Sequence, residues 1–331
     1  MPVTIGRREL LSALGGAVVA WPLVARAQQA AMPLIGYLHS GSPAPYAHLV
    51  ATFHRGLKEA GAVEGKNFAI EYHWAEGRYD RLPALAADLV SRHVALIVAQ
   101  GGDPPVLAAK SVTATIPVVF TSSSDPVKLG LVTSLNHPGG NVTGFWPFTS
   151  LLGTKRLELV RQLVSANSSI AVLVNPDNPN AGLDMAQLED SARALGQSVS
   201  FVRARTEAEI EAVFATLSER RVSALLVNTD PFFLARPALF VSLAARNRIP
   251  AIYAQREFVA AGGLISYGAS LADGYRQVGI YAGRILKGER PADLPVVQPT
   301  KFEIAINLKA AKELGLDIPA TLLALADEVI D

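Results

Sequence analysis

The sequence predicts an α/β protein of two similar lobes with a cleft between them, on three observations. From Pro33 onward, short apolar runs rich in β-branched residues alternate with segments of helical period, the pattern of βαβ units and parallel sheets. The segment Ile116-Pro117-Val118-Val119-Phe120 returns 133 residues later as Ile249-Pro250-Ala251-Ile252-Tyr253. Each copy follows a helix-like stretch and, before it, a buried-strand run ending in a polar loop: Ala95 to Gln100 in one half, Ala224 to Asn228 in the other. A cleft between two such lobes is where small ligands tend to bind.

In the first half the strands are expected at Leu34 to Leu38, Phe68 to Tyr72, Val94 to Ala99 and Pro117 to Phe120. Leu82, Leu85, Ala86, Leu89 and Val90 recur at the spacing of a helix with one buried face. The second half repeats the layout with strands at Ile170 to Val174, Val199 to Val202, Val222 to Val227 and Ile249 to Tyr253. Its clearest helix carries Ile210, Val213, Phe214 and Leu217 on one face, and Thr206 with Glu209 forms a capping box at its start.

The chain is expected to pass between the lobes three times: at Val142 to Trp146, near Ser266 ahead of a helix from about Leu271 to Lys287, and within Pro291 to Pro299 ahead of the strand Phe302 to Ile306. This divides the chain into lobe one, residues 33–147 with 267–297, and lobe two, residues 148–266 with 298–331. Several short crossings make a hinge that opens and closes without free twisting.

Residues 1–27 read as an export signal, with Arg7-Arg8, an apolar run from Leu10 to Ala20 and a cleavage site at Ala25-Arg26-Ala27. That run of 11 residues, ended by Trp21-Pro22, is short of the roughly 20 needed to span a bilayer. Arg7-Arg8 followed by Glu9-Leu10-Leu11 resembles a twin-arginine signal, although adjacent arginines also occur in ordinary signals. The expected location is a periplasm. Removing the signal leaves 27 basic and 28 acidic residues, which gives no electrostatic case for nucleic acid. With no cysteine, the chain has no disulfide, thiolate metal site, cysteine nucleophile or lipid-anchored N-terminal cysteine.

The sequence contains no complete phosphate loop, G-x-S-x-G elbow or H-E-x-x-H pair, and its six histidines are scattered. No cofactor and no enzyme activity are expected. Polar residues gather instead after strands, where ligands sit in open parallel sheets. Asp103, Asp125, Asp177 and Asp230 each follow such a strand and open a helix, a position that also suits a simple cap. The loop Thr121-Ser122-Ser123-Ser124-Asp125-Pro126 offers hydroxyls and free N–H groups at a helix start, suited to an anion, with Asp125 as a cap or an ammonium partner. Ser40-Gly41-Ser42 is its counterpart after the first strand. Tyr46, Trp146, Tyr253 and Tyr267 are among the aromatic residues placed near the cleft, and Trp146 and Tyr253 are taken as ligand contacts.

The runs Asp125 to Val132, Asn136-His137-Pro138-Gly139-Gly140-Asn141-Val142-Thr143-Gly144, Lys155-Arg156-Leu157-Glu158-Leu159 and Arg256 to Leu264 resemble the substrate-binding proteins of ABC transporters, in the family that includes tryptophan and tyrosine binders. The resemblance runs from about Pro33 to the C-terminus. It implies two Rossmann-like lobes of the periplasmic binding protein type I kind, joined by a three-crossover hinge. It also implies a monomer that captures a small-molecule ligand and delivers it to an ABC permease in the inner membrane. Cleft-facing positions carried over by it are Ser40, Gly41, Ser42, Gln100, Gly101, Ser122, Ser123, Asp125, Asn175, Asn178, Asn228 and Asp230. The ligand would be an amino acid, an aromatic compound or a carboxylate. A ligand-sensing protein that presents its closed form to a membrane receptor is the alternative, and a cleft enzyme a weaker one.

Overall fold

The two halves of the sequence fold into two sheets whose strand orders repeat one another. The computed structural model describes residues 32–148, 151–164 and 168–331, so the expected export signal lies outside the described residues. The first half runs β1 (Leu34–His39), α1 (Pro43–Glu59), β2 (Ala69–Trp74), α2 (Leu82–Ser91), β3 (Leu96–Gln100), α3 (Asp103–Val112), β4 (Val118–Thr121) and β5 (Val142–Phe145). The chain then enters the second sheet with α4 (Gly153–Arg161), β6 (Ile170–Val174), α5 (Ala181–Ala194), β7 (Val199–Arg203), α6 (Glu207–Glu219), β8 (Ala224–Val227), α7 (Pro231–Leu234), α8 (Pro237–Arg246), β9 (Ala251–Tyr253), α9 (Arg256–Ala260) and β10 (Ile265–Gly268). It returns to the first sheet with α10 (Leu271–Leu286) and ends in the second with β11 (Glu303–Asn307), α11 (Leu308–Leu314), α12 (Ala320–Leu323) and β12 (Glu328–Ile330).

The first sheet has the order β2-β1-β3-β4-β5 and is parallel throughout. The second has the order β12-β11-β10-β9-β8-β6-β7, parallel except where β10 meets β11. Read from β7 to β10, it repeats the first sheet strand for strand. The recurring Ile-Pro segment forms β4 in one sheet and β9 in the other, each beside the strand that precedes it in sequence.

Helices on both faces bury the central strands completely, which is why these strands read as continuous apolar runs. Ile35 and Tyr37 of β1 enter the core beneath α1 and α10, while Leu38 enters the core on the opposite face with Leu89. Edge strand β2 alternates instead, with Ile70, Tyr72 and Trp74 against the core and Glu71 and His73 on the outer face. Thr206 caps α6 as expected, its hydroxyl accepting from Glu209 N at 3.2 Å. The return bond goes to the N–H of Arg205, at 2.8 Å, one residue earlier than a capping box requires.

Helix α10 lies against α1 at glycine contacts. A Cβ on Gly56 would collide with the carbonyl of Arg276, and one on Gly279 with the carbonyl of Phe53. Two helices can approach this closely only where both lack side chains at the crossing.

The chain leaves the second sheet after Gly268, two residues beyond Ser266, which is held inside β10 opposite Ala305. The last passage follows Val297, whose N–H donates to Gly144 at 2.8 Å and whose carbonyl accepts from Trp146 N at 2.9 Å; β11 then starts at Glu303.

Candidate functional site

Loops from the carboxyl ends of both sheets line a cavity of about 50 Å³. The first lobe supplies Tyr46 from α1, Gly101 and Gly102 after β3, Thr121 at the end of β4 and Ser123 after it. The second supplies Thr229, Asp230, Pro231, Leu234 and Gln255. Pro147 beside the first passage, and Leu271 and Tyr275 in the first turns of α10, close the hinge side. Gly101 and Gly102 have φ of 88° and 93°, values that glycine alone adopts freely, and they bring backbone rather than side chain to the wall.

Asp230 organises the second wall. Its Oδ1 accepts from Asn175 Nδ2 (3.1 Å) and from the N–H groups of Phe232 (2.9 Å) and Phe233 (3.4 Å), so it caps α7. Its Oδ2 accepts from Asn178 Nδ2 (2.9 Å) and, across the cleft, from the hydroxyl of Tyr79 (2.9 Å). Burial pushes its carboxyl pKa above the usual range, against the downward pull of these bonds.

Asp103 does the same for the first wall. This buried carboxylate accepts from Ser122 Oγ (2.6 Å), Ser123 N (2.6 Å) and Ser124 N (3.2 Å), and from Asn180 Nδ2 of the other lobe. Tyr46 adds another bond across the cleft, donating to the carbonyl of Pro231 at 2.9 Å. Groups from both lobes are therefore already joined around the cavity.

Beside a separate cavity, His48 Nε2 lies 3.7 Å from Glu257 Oε1, again across the lobes. Its bond to Glu257 raises the histidine pKa above the ordinary 6.5, against a smaller downward effect of burial. Protonation is thus favoured in the closed fold: the contribution is full below the ordinary value and fades as pH rises through the raised one. Ligand affinity is expected to be about twofold higher at about pH 5.5 than at about pH 8, the histidine being exposed, and His48→Gln should flatten this in calorimetry.

Of the residues chosen from sequence, Gly101, Ser123 and Asp230 line the cavity. Asn175 and Asn178 stand behind it, holding Asp230. Ser40 and Gly41 shape the wall from beneath: Ser40 Oγ donates to Gly101 O at 2.7 Å, and Gly41 N donates to His39 Nδ1 at 2.7 Å. Gln100 is fully buried at the end of β3 with neither amide atom bonded to protein. The others turn elsewhere. Ser42 sits half-buried at the N-cap of α1 with no side-chain bond to it. Ser122 is buried against Asp103, and Asn228 donates to Asp184 at 2.8 Å. Trp146 packs in the first lobe's core against Phe148. Tyr253 stacks on Phe258 with ring centroids 4.5 Å apart and lines a separate cavity of about 50 Å³ within the second lobe.

No helix follows Asp125, contrary to the sequence expectation: its Oδ1 accepts from Val127 N (2.9 Å) and Lys128 N (3.3 Å) and holds the turn over residues 126–130. Asp125→Ala removes these turn bonds and is expected to lower stability by about 1 kcal/mol in thermal unfolding and leave ligand affinity unchanged.

Sequence reasoning missed Gln255, Leu271, Pro147 and Tyr275. Tyr275 bonds His39, with Nε2 to Oη at 2.9 Å, and burial drives the His39 pKa down to about 3. On the outer edge of the first lobe Glu71, His73 and Asp88 gather within metal-ligand reach of one another, but Arg92 already bridges the two carboxylates at 3.0 and 2.9 Å.

The profile of a family described as ABC transporter substrate binding protein matches residues 43–330. A tyrosine-binding protein of Clostridioides difficile (strain R20291) is 30% identical over 268 residues, covering 80% of this chain and 75% of that protein. The crystal structure of an ABC domain from Streptococcus pneumoniae in complex with L-Trp superposes with a TM-score of 0.79 at 26% identity, over 90% of this chain and 99% of that one. The ligand-free, open structure of a substrate binding protein with adhesive properties from Clostridium difficile gives 0.63 at 27% identity and the same coverages. At nearly equal identity the fold fits the liganded form better than the open one, as the bonds across the cleft require. By its fold, its two-walled cavity and its sequence, the chain belongs to the family of ABC transporter substrate binding proteins.

Proposed function

We propose that the protein captures an aromatic amino acid or a related aromatic carboxylate between its lobes and delivers the closed, loaded form to an ABC permease of the inner membrane. It would work as a monomer in the periplasm after export. The observation that carries this reading is the shared wall: Asp230 of one lobe holds Tyr79 of the other, and Tyr46 holds Pro231, beside one cavity. Bonds of this kind form on closure alone, so a ligand that touches both walls shifts the population to the closed form. Tyr46, Tyr275, Leu234 and Leu271 give the cavity apolar surface beside its hydroxyls. The tyrosine and tryptophan named for the relatives point to the same class.

A thermal-shift screen of the protein from Gln28 onward against L-tyrosine, L-tryptophan, L-phenylalanine, aromatic carboxylates and aliphatic amino acids tests it. A true ligand at about 100 times its Kd is expected to stabilise by about 2.7 kcal/mol. A shift with aliphatic amino acids and none with aromatic compounds would refute the assignment.

A further inference from the structure

We propose that Tyr275 is the residue that recognises the ligand's carboxylate, and that His39, beneath the cavity wall, sets the direction of its hydroxyl proton. The carboxylate rests on the reading of aromatic capture given above; the direction of the proton does not.

The N–H of Gly41 donates to His39 Nδ1 at 2.7 Å, which occupies that lone pair. A neutral imidazole has one proton, and it must then sit on Nε2. The ring is fully buried among aromatic groups, with centroids 4.2 Å from Tyr46 and 4.7 Å from Trp74, where the charged form is disfavoured. Nε2–H therefore donates to Tyr275 Oη, 2.9 Å away. A tyrosine hydroxyl that accepts in this way keeps its own hydrogen to donate. Among the described residues no protein acceptor lies in hydrogen-bond reach of Tyr275 Oη other than the imidazole that donates to it. Tyr275 lines the cavity, and so do Thr121 and Thr229, whose buried hydroxyl oxygens also have no protein partner.

Three residues that carry hydroxyl donors thus line one cavity, from the first lobe, the second lobe and the hinge helix. A carboxylate has about four lone-pair sites and accepts all three at once. Bonds to an ionised acceptor are also the stronger ones. Asp230 does not compete for these donors, being served by five of its own.

The test has two arms. In calorimetry, Tyr275→Phe is expected to reduce the preference for L-tyrosine over tyramine, and for L-tryptophan over tryptamine, by about tenfold or more, since the amines lack the carboxylate. His39→Gln keeps an acceptor for Gly41 and a donor for Tyr275 and should retain the preference; His39→Leu should lose it. Equal losses for acid and amine in Tyr275→Phe would mean that the tyrosine only supports α10, and would overturn the proposal. In the second arm, the ¹⁵N spectrum of His39 in the wild-type protein should show a protonated Nε2 and a bare Nδ1. A protonated Nδ1 overturns the orientation whatever the ligand. If none of the four probes binds the wild type, the aromatic reading and its carboxylate fall together, and the imidazole spectrum still decides the direction of the hydroxyl.

Discussion

Asp230→Ala is expected to lower stability by about 3 kcal/mol and to weaken ligand binding by at least about tenfold. The side chain caps α7, and loss of such a cap alone costs about 1 kcal/mol. The change also strands the amide groups of Asn175 and Asn178 and the hydroxyl of Tyr79, and each buried donor left without a partner costs about 1–3 kcal/mol, less where water enters the cavity. The two effects separate by location. Asn175, Asn178 and the cap lie within the second lobe and act on folding, whereas Tyr79 belongs to the first and acts on closure. Tyr79→Phe should therefore weaken binding severalfold while leaving the unfolding midpoint nearly unchanged. Urea unfolding and calorimetry of both variants decide this, and an Asp230→Ala protein with unaltered midpoint and affinity would refute the account.

Gly279→Ala is expected to destabilise by about 3 kcal/mol, at the upper end of what overpacking costs. The added methyl meets the carbonyl of Phe53, which is backbone inside α1 and cannot rotate aside. Relief requires α10 to lift away from α1, loosening Tyr281, Ala282 and Ile285 from the core they share with Leu49, Phe53 and Leu57. Tyr275 rides on the same helix, so the variant should also bind more weakly even after allowance for the unfolded fraction. Chemical unfolding followed by circular dichroism measures the first effect. A destabilisation below about 1 kcal/mol would show that the helices separate easily.

The strands were legible because a parallel sheet covered on both faces demands continuous apolar runs, and Ile170–Val174 needed no adjustment. Their ends were less so: β10 continues to Gly268 because its pairing with β11 does, and no local signal marks that partner. The site was legible by loop and not by side chain. Asn175, Asn178 and Asp230 were chosen as separate contacts, yet the first two hold the third, a relation between residues more than 50 positions apart. Tyr253 was chosen for its place at the end of a repeated strand, but β9 turns it into the lobe and Gln255 reaches the cavity. Tyr275 was missed for an opposite reason: Tyr275, Val278, Gly279 and Ala282 form the apolar stripe of a helix, and a stripe of that kind reads as core.

The placement of α10 also governs the order in which the molecule can be assembled. The helix that covers Leu49, Phe53 and Leu57 of the first lobe is made only after β10 of the second, and β11 and β12 follow later still. A growing chain that has reached Gly268 holds most strands of both sheets and a finished core in neither. Folding is thus withheld until the last segments arrive, and neither lobe can be cut out as one continuous stretch of sequence and remain whole.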